Sequence, residues 1–474
     1  MSRKLLAAVA VLLLAASMFV GAQPQPPRLN VLFLIADDLN NDLGTYGSTV
    51  RSPNIDRLAA RGVRFDRAYN QYPLCSPSRS SLLTGRRPDV TGVLSNPGKN
   101  PMSPHFREKL PGAVTLPQAF RTNGWVAARI GKLYHYGVPN NIGTAGLDDY
   151  PSWDFTVNPR GRDRESHHKI FSLLPGQFGA TLSWLADEGS DSEQTDGLAA
   201  QEAVRLLESF KRDNRPFFLG VGFYRPHTPY VAPRSYFDLY PRDRIELPRL
   251  SDDDRARRPA AAYQSAFKEQ DVMTDDQRRA AIQAYRASTT FMDAQVGQVL
   301  DALDRLGLAE STIVVFTSDH GYHLADHGLW QKRSLFERSA RVPLIIALPR
   351  ATVRGGGARG LAELVDLYPT LADLAGIKPA GPLDGVSLVP MLNDPSASVK
   401  DAAFTQTQNG YAVRTDRWRY IEWGEGQGGV QLYDMERDPG ETTNLAQDAR
   451  HAASVALLKA RLVEYRQSPT MNKP

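Results

Sequence analysis

Sulfhydryl chemistry is nearly absent from this sequence: 474 residues hold one cysteine, Cys75. No intramolecular disulfide can form, so stability must come from a hydrophobic core, which a chain of this length can bury, and from a metal if one binds. A long membrane-spanning run is missing too. The N-terminal apolar stretch, Leu5 to Val20, falls short of the about 20 residues a spanning helix needs. It follows Arg3 and Lys4 and ends in Val20-Gly21-Ala22. That layout predicts a signal peptide over residues 1–22 and a periplasmic or secreted product without a membrane anchor. No cysteine stands at the cleavage site to take a lipid. Strong charge is also lacking: losing Arg3 and Lys4, with no acid before residue 23, lowers the formal charge from +4 to +2. So slight an excess gives no footprint for nucleic acid. A polyanionic substrate stays open, because local basic patches do not show in a net charge.

What is present is alternation. "LNVLFLIADD" runs apolar from Val31 to Ala36 and stops on Asp37 and Asp38; "STIVVFTSDHG" runs from Ile313 to Phe316 and stops near Asp319 and His320. "PFFLGVGFYRPH", from Pro216, ends near His227. Unbroken apolar runs of this kind predict buried parallel strands. Helical patterns lie between them: Ser52-Pro53 opens one that Gly62 ends, another covers Thr195 to Asp213, and a long one passes through Val296, Val299, Leu300 and Leu303. The expectation is an α/β fold with a mostly parallel central sheet flanked by helices. Ligands of such sheets gather outside the carboxyl ends of the strands, where all three runs deliver polar groups. Residues 23–377 are assigned to this domain. The tail, 378–474, with "YAVRTDRWRYIEW" and "VQLYDMERDPGETTNLA", predicts a smaller α+β subdomain with an antiparallel sheet.

Cys75 lies in "YPLCSPSRSSLLTGR". Ser76-Pro77 reads as a helix cap and first turn, with Gly85 as the stop, so Cys75 stands at a helix N-terminus that favours negative charge. Arg79 is one turn on and can return to the same spot. The segment alone also admits a small buried hydrophobe or a thiolate nucleophile. The pattern C-S-P-S-R followed by S-L-L-T-G-R resembles the signature of the type I sulfatases, C-x-P-x-R-x4-T-G. Further segments resemble that family in order: Asp37-Asp38, "GKLYH" at 131–135, "RPHTPY" at 225–230, "SDHG" at 318–321, "DHGLWQK" ending at Lys332, "VDLYPTLADLAG" and "LYDMERDPGETTNLA". "SPNIDRLAARG", "TGRRPD" and "PFFLGVGFYRPHTPY" are most similar to the iduronate-2-sulfatase-like subgroup.

The resemblance implies an alkaline-phosphatase-like fold. It also implies that Cys75 is converted by a formylglycine-generating enzyme to Cα-formylglycine. Asp37, Asp38, Asp319 and His320, with an oxygen of residue 75, resemble the ligands of Ca²⁺; Mg²⁺ is the alternative, since histidine is an unusual Ca²⁺ ligand. Taken alone, an Asp-Asp pair after a strand would be a turn or a cap. In the implied mechanism one hydroxyl of the hydrated aldehyde attacks sulfur. His227, with Lys332, protonates the leaving oxygen, and His135, beside Lys132, takes a proton from the second hydroxyl. Arg79, Lys132 and Lys332 gather positive charge around the sulfuryl oxygens.

Substrate choice is expected in loops at the sheet's carboxyl edge: Leu94 to Leu110, Ser152 to Ser190, and "GYHLADHGLW", where Tyr322, His323 and Trp330 are candidate sugar contacts. "RDRESHHK", residues 162–169, reads as a solvated loop, with contact to a polyanion as the lesser alternative. The resemblance implies a sulfated carbohydrate, a 2-O-sulfated uronic acid or related glycan unit cut from a chain end. Two other functions compete: a phosphonate monoester hydrolase or phosphodiesterase of the same superfamily, and a non-catalytic glycan-binding protein in which Cys75 is never oxidised. The full set Lys132, His135, His227 and Lys332 speaks against the last, which has no use for proton-transfer groups.

Overall fold

The computed structural model describes residues 28–98, 103–248 and 255–468, so the expected signal peptide lies outside the described residues. The strand Asn30–Ala36 is buried at all seven positions. Such a strand needs cover on both faces. Val31, Phe33 and Ile35 enter one core, with the helices Cys75–Thr84, Leu116–Thr122 and Leu367–Leu374. Leu32, Leu34 and Ala36 enter the other, with Pro53–Arg61, Thr195–Arg212 and Asp275–Arg305. Among the described residues, no helix is long and apolar enough to cross a membrane.

Eight strands make the central sheet, in the order 356–363, 63–69, 341–347, 312–318, 30–36, 217–222, 126–131 and 155–157. Arg341–Ala347 alone runs antiparallel to its neighbours. The three strands singled out in the sequence are adjacent at the centre, in the order 312–318, 30–36, 217–222. Their carboxyl ends therefore meet. A separate three-stranded sheet, Phe171–Ser172, Ser183–Asp187 and Tyr230–Pro233, carries the 152–190 insertion.

The tail forms the expected antiparallel sheet, Ala403–Gln406, Gly410–Arg414, Trp418–Trp423 and Val430–Asp434, covered by the helix Ala452–Gln467. It is bonded to the end of the strand Val63–Tyr69: Thr405 Oγ1 donates to Asn70 O at 2.7 Å and Gln406 N–H to Gln71 O at 2.9 Å. Buried Arg419 reinforces the seam, donating to Leu335 O at 2.9 Å and pairing with Glu337 and Glu441. Burial pushes the Glu337 carboxyl up, but Arg419, Arg414 and Arg341 overcome it and hold it at about 2, against an ordinary 4.5. A depressed acid stabilises above its unfolded pKa, and that contribution is lost as pH falls from about 4.5 through about 2. Glu337→Gln should therefore cost on the order of 3 kcal/mol at pH 7 and less than half of that at pH 3, by urea unfolding. An equal loss at both would assign the effect to packing instead.

Candidate active site

Asp37 and Asp38 follow the strand Asn30–Ala36, where adjacent residues of a continuing strand would face opposite ways. Asp38 instead adopts a left-handed backbone, φ 65°, which Asp tolerates and which turns both carboxylates to one point. Tyr285 of the long helix secures the turn, donating to Asp38 O at 2.8 Å and accepting from Asn40 N–H at 2.9 Å. Asp319 and His320 follow the adjacent strand Thr312–Ser318, and Asp319 Oδ1 accepts the Asp38 N–H at 3.1 Å. His320 Nδ1 lies 2.9 Å from Gly321 O, which assigns its proton to Nδ1 and leaves Nε2 as an electron-pair donor. That nitrogen is 3.4 Å from Cys75 Sγ and 3.3 Å from Asp38 Oδ1.

Cys75 opens the helix Cys75–Thr84, two residues earlier than the Ser76-Pro77 pair implied; Leu74 is the cap and makes no side-chain bond. Asn96 Oδ1 supplies an acceptor for the Ser76 N–H, at 2.9 Å. Gly85 ends the helix at φ 66°, as expected. The thiol is wholly buried, 3.2 Å from Lys332 Nζ, which also lies 2.5 Å from Asp38 Oδ1. Gln331 and Arg333 flank Lys332 with φ of 68° and 74°. Such backbone costs about 1–3 kcal/mol per residue and persists where surroundings impose it.

Lys132 follows the strand Val126–Gly131 and pairs with Asp37 Oδ2. Gly131 makes this approach feasible: at φ 66°, a Cβ there would stand 2.2 Å from Gly222 O of the next strand. Arg79 was expected to add positive charge around the sulfuryl oxygens, and the structure puts that charge beside Asp37 and Asp319. Its guanidinium is spent within the protein: Nε donates to Asp319 Oδ2 at 2.9 Å, Nη1 to Lys132 O and to Leu133 O at 3.1 Å, and Nη2 to Ala36 O and Asp37 Oδ1, both at 3.3 Å. Five donors meet five acceptors. Arg79 thus ties strand ends together rather than offering a free donor.

His227 sits in a loop held by two buried carboxylates. Asp196 accepts the N–H groups of Tyr224 and Arg225 at 2.8 and 2.9 Å, and Asp163 pairs with Arg225. Asp163 belongs to the "RDRESHHK" stretch, which is therefore not merely a solvated loop. His227 Nδ1 is 2.5 Å from Thr228 O, and its Nε2 faces Asp38 Oδ2 at 3.8 Å. Burial, reinforced by the Lys132 charge, holds His135 well below its ordinary value and so neutral.

Burial pushes Asp37 up, yet Lys132, His227, Arg79 and Lys332 together hold it well below the carboxylate range; burial also pushes Asp38 up, and His227, Lys332 and His320 lower it. Asp38 Oδ2 is buried without a hydrogen bond. Donor atoms of Asp37, Cys75, Asp319 and His320, and of Asp37, Asp38, Cys75 and His227, form two sets, each within 4.8 Å. Carboxylate oxygens, an orphaned one among them, with an imidazole electron pair fit a divalent cation.

Residues 29–377 match the family model described as sulfatase. The chain belongs to the sulfatase family. Residues 325–468 match the model of the N-sulphoglucosamine sulphohydrolase C-terminal region. Iduronate 2-sulfatase of Mus musculus is 37% identical over 391 residues, 74% of this chain and 69% of the relative. Two solved structures superpose well. A phosphonate monoester hydrolase of Agrobacterium radiobacter has TM-score 0.77 at 25% identity, covering 93% of this chain and 95% of its own. A 2-O GAG sulfatase has TM-score 0.72 at 26% identity, covering 93% and 92%. The protein is thus a sulfuric ester hydrolase of the iduronate-2-sulfatase-like kind, with the alkaline-phosphatase-like fold.

The sulfatase's cleft, of about 530 Å³, opens above this cluster, with His135, His227 and Lys332 in its lining. Two expected loops contribute, through Leu94 to Pro97 and Phe178 to Ala180. The third expectation needs correcting. Tyr322, His323 and Trp330 are at most 3% exposed and do not line the cleft. Tyr322 bonds to Tyr230 through the hydroxyls at 2.6 Å, and His323 to Ser334 Oγ at 2.6 Å. Sequence reasoning missed Tyr285 and Asn96. It also missed the tail's share of the wall, Thr407, Gln408, Asn409 and Trp423. Asn409-Gly410 is a turn signal for that hairpin, but nothing local says where the tip docks.

Arg79→Ala leaves Asp37 and Asp319 buried without their shared partner and should cost about 3–5 kcal/mol in urea unfolding. Arg79→Lys, which keeps charge but loses the fork, should recover only part. Ca²⁺ or Mg²⁺ at about 100 times its dissociation constant should stabilise the protein by about 2.7 kcal/mol. In calorimetry, Asp38→Asn should remove most of that increment.

Proposed function

We propose that this sulfatase is exported and removes sulfate from carbohydrates, a 2-O-sulfated uronic acid or related unit at a chain end, after Cys75 has been converted to formylglycine by a formylglycine-generating enzyme. The observation that carries the reading is the placement of Cys75. The chain's one thiol lies under a sugar-sized cleft, 3.2 Å from Lys332 Nζ and 3.4 Å from His320 Nε2, beside Asp37 and Asp38. The cleft walls support an anionic sugar: among the described residues they contain no Asp or Glu, and they offer seven amide side chains, Asn96, Asn140, Asn141, Gln264, Gln331, Gln408 and Asn409. Likeness to iduronate 2-sulfatase and to a 2-O GAG sulfatase supports the substrate class.

Asp37, Asp38, Asp319 and His320 would hold a divalent cation, Ca²⁺ or Mg²⁺. When present, the hydrated aldehyde supplies a nucleophilic oxygen and a second hydroxyl, and the cation supplies positive charge beside them. The chain's own residues do the rest. Lys332 and Lys132 place positive charge where sulfuryl oxygens come to rest. The Thr228 carbonyl occupies the Nδ1–H of His227, so Nε2 carries a proton only in the imidazolium; in that form His227 protonates the departing sugar oxygen. Neutral His135 accepts the proton that must leave the second hydroxyl. Arg79 holds Asp37 and Asp319 in position without touching substrate. Residues from about 378 onward form the subdomain that completes the cleft wall.

Mass spectrometry after co-expression with the generating enzyme should show residue 75 lighter by about 18 Da, the change from thiol to aldehyde. An unmodified thiol despite an active partner overturns the mechanism. The matured protein should desulfate 2-O-sulfated disaccharides faster than it cleaves phosphonate monoesters; the reverse order favours the phosphonate hydrolase. His227→Ala should lower kcat on sugar sulfates about 10²–10⁴-fold, and much less on p-nitrophenyl sulfate, whose leaving group needs no proton.

A further inference from the structure

Two cations stand side by side in the cleft, and the reaction uses only one of them. Lys332 is committed to Asp38 at 2.5 Å and to Cys75. Arg333, the next residue, is exposed on the cleft wall and makes no ion pair or side-chain hydrogen bond among the described residues. Its position is nevertheless built. Its backbone is left-handed, φ 74°, and its N–H donates to Pro73 O at 3.0 Å, beside the wall residue Tyr72. Since the walls contain no carboxylate among the described residues, nothing in the cleft competes for the guanidinium. A planar fork of donors held in a carbohydrate-sized cleft matches a planar carboxylate. In a uronic acid the 2-O-sulfate and the C5 carboxylate leave opposite edges of the ring. A sulfate seated at Lys332 and residue 75 therefore turns the carboxylate toward the cleft wall.

We propose that Arg333 is a specificity-determining residue that binds the carboxylate of the uronic acid whose sulfate is removed. The inference rests on the carbohydrate sulfatase reading above and adds the group that distinguishes acidic from neutral sugars. It also explains why a strained backbone is kept at this position: it presents Lys332 to the reacting centre and Arg333 to the ring's far edge from consecutive residues.

The test compares kcat/KM of the matured enzyme on a 2-O-sulfated uronate disaccharide and on its carboxyl-reduced analogue. The wild type should prefer the uronate by about 10- to 100-fold, as a charge-assisted fork allows. In Arg333→Gln that preference should collapse, with the change in KM, since a contact made equally before and during reaction does not alter kcat. Arg333→Lys should keep an intermediate preference. If the preference survives in Arg333→Gln, including the case where both substrates lose equally, the Arg333 assignment is overturned and the sulfatase reading stands. If the wild type, with formylglycine verified at residue 75, turns over neither disaccharide, the substrate class fails and the Arg333 inference with it.

Discussion

The buried guanidinium of Arg79 is the contact on which the site depends. It reaches the carbonyls of Ala36, Lys132 and Leu133 and the carboxylates of Asp37 and Asp319, groups that follow or end three strands of the central sheet. A guanidinium fully removed from water must meet acceptors on every N–H, and here each one is a strand-end group. The helix Cys75–Thr84 that carries it is thereby set with its first residue beside Asp37, Asp319 and His320. Position of Cys75 and position of the carboxylates become one constraint.

Charge balance follows from the same packing. Asp37, Asp38 and Asp319 are buried beside Arg79, Lys132 and Lys332, three acids against three bases. In water-excluded surroundings such pairing keeps Asp37 and Asp38 ionised, against the opposing push of burial. Ionised carboxylates are the state a divalent cation needs. The histidines divide the remaining work through their second nitrogens: backbone carbonyls at Gly321 and Thr228 take the Nδ1 side of His320 and His227, so both present Nε2 to the centre.

Much of this was legible beforehand, and the reasons differ by residue. The acids after Ala36 and Ser318 were visible because an apolar run ending in carboxylates marks a parallel strand's carboxyl end. The helix at Cys75 was visible from proline and glycine punctuation, its start within two residues and its end at Gly85. Tyr322 and Trp330 misled because an aromatic beside an active-site motif reads alike whether it faces a sugar or a core. In the structure Tyr322 stacks on Tyr285 at 5.2 Å and serves the wall behind Asp38. The stretch at 162–169 looked solvated by composition, yet its Asp163 is buried against Arg225 and steadies the His227 loop.

The sequence by itself determined the local events: where strands stop, where helices start, which residue types arrive at each stop, and a spacing around Cys75 shared with one family. Periodicity and capping act over a few residues, so a single chain displays them openly. Tertiary structure alone decided what those stops are next to. Strand order placed residues 30–36 between 217–222 and 312–318. Close backbone approach at Gly131 and Gly222 brought Lys132 to Asp37. The docking of the tail's hairpin lent Gln408, Asn409 and Trp423 to the cleft. These contacts join segments far apart along the chain, and only the burial of both sheet faces at once selects among the arrangements local patterns permit.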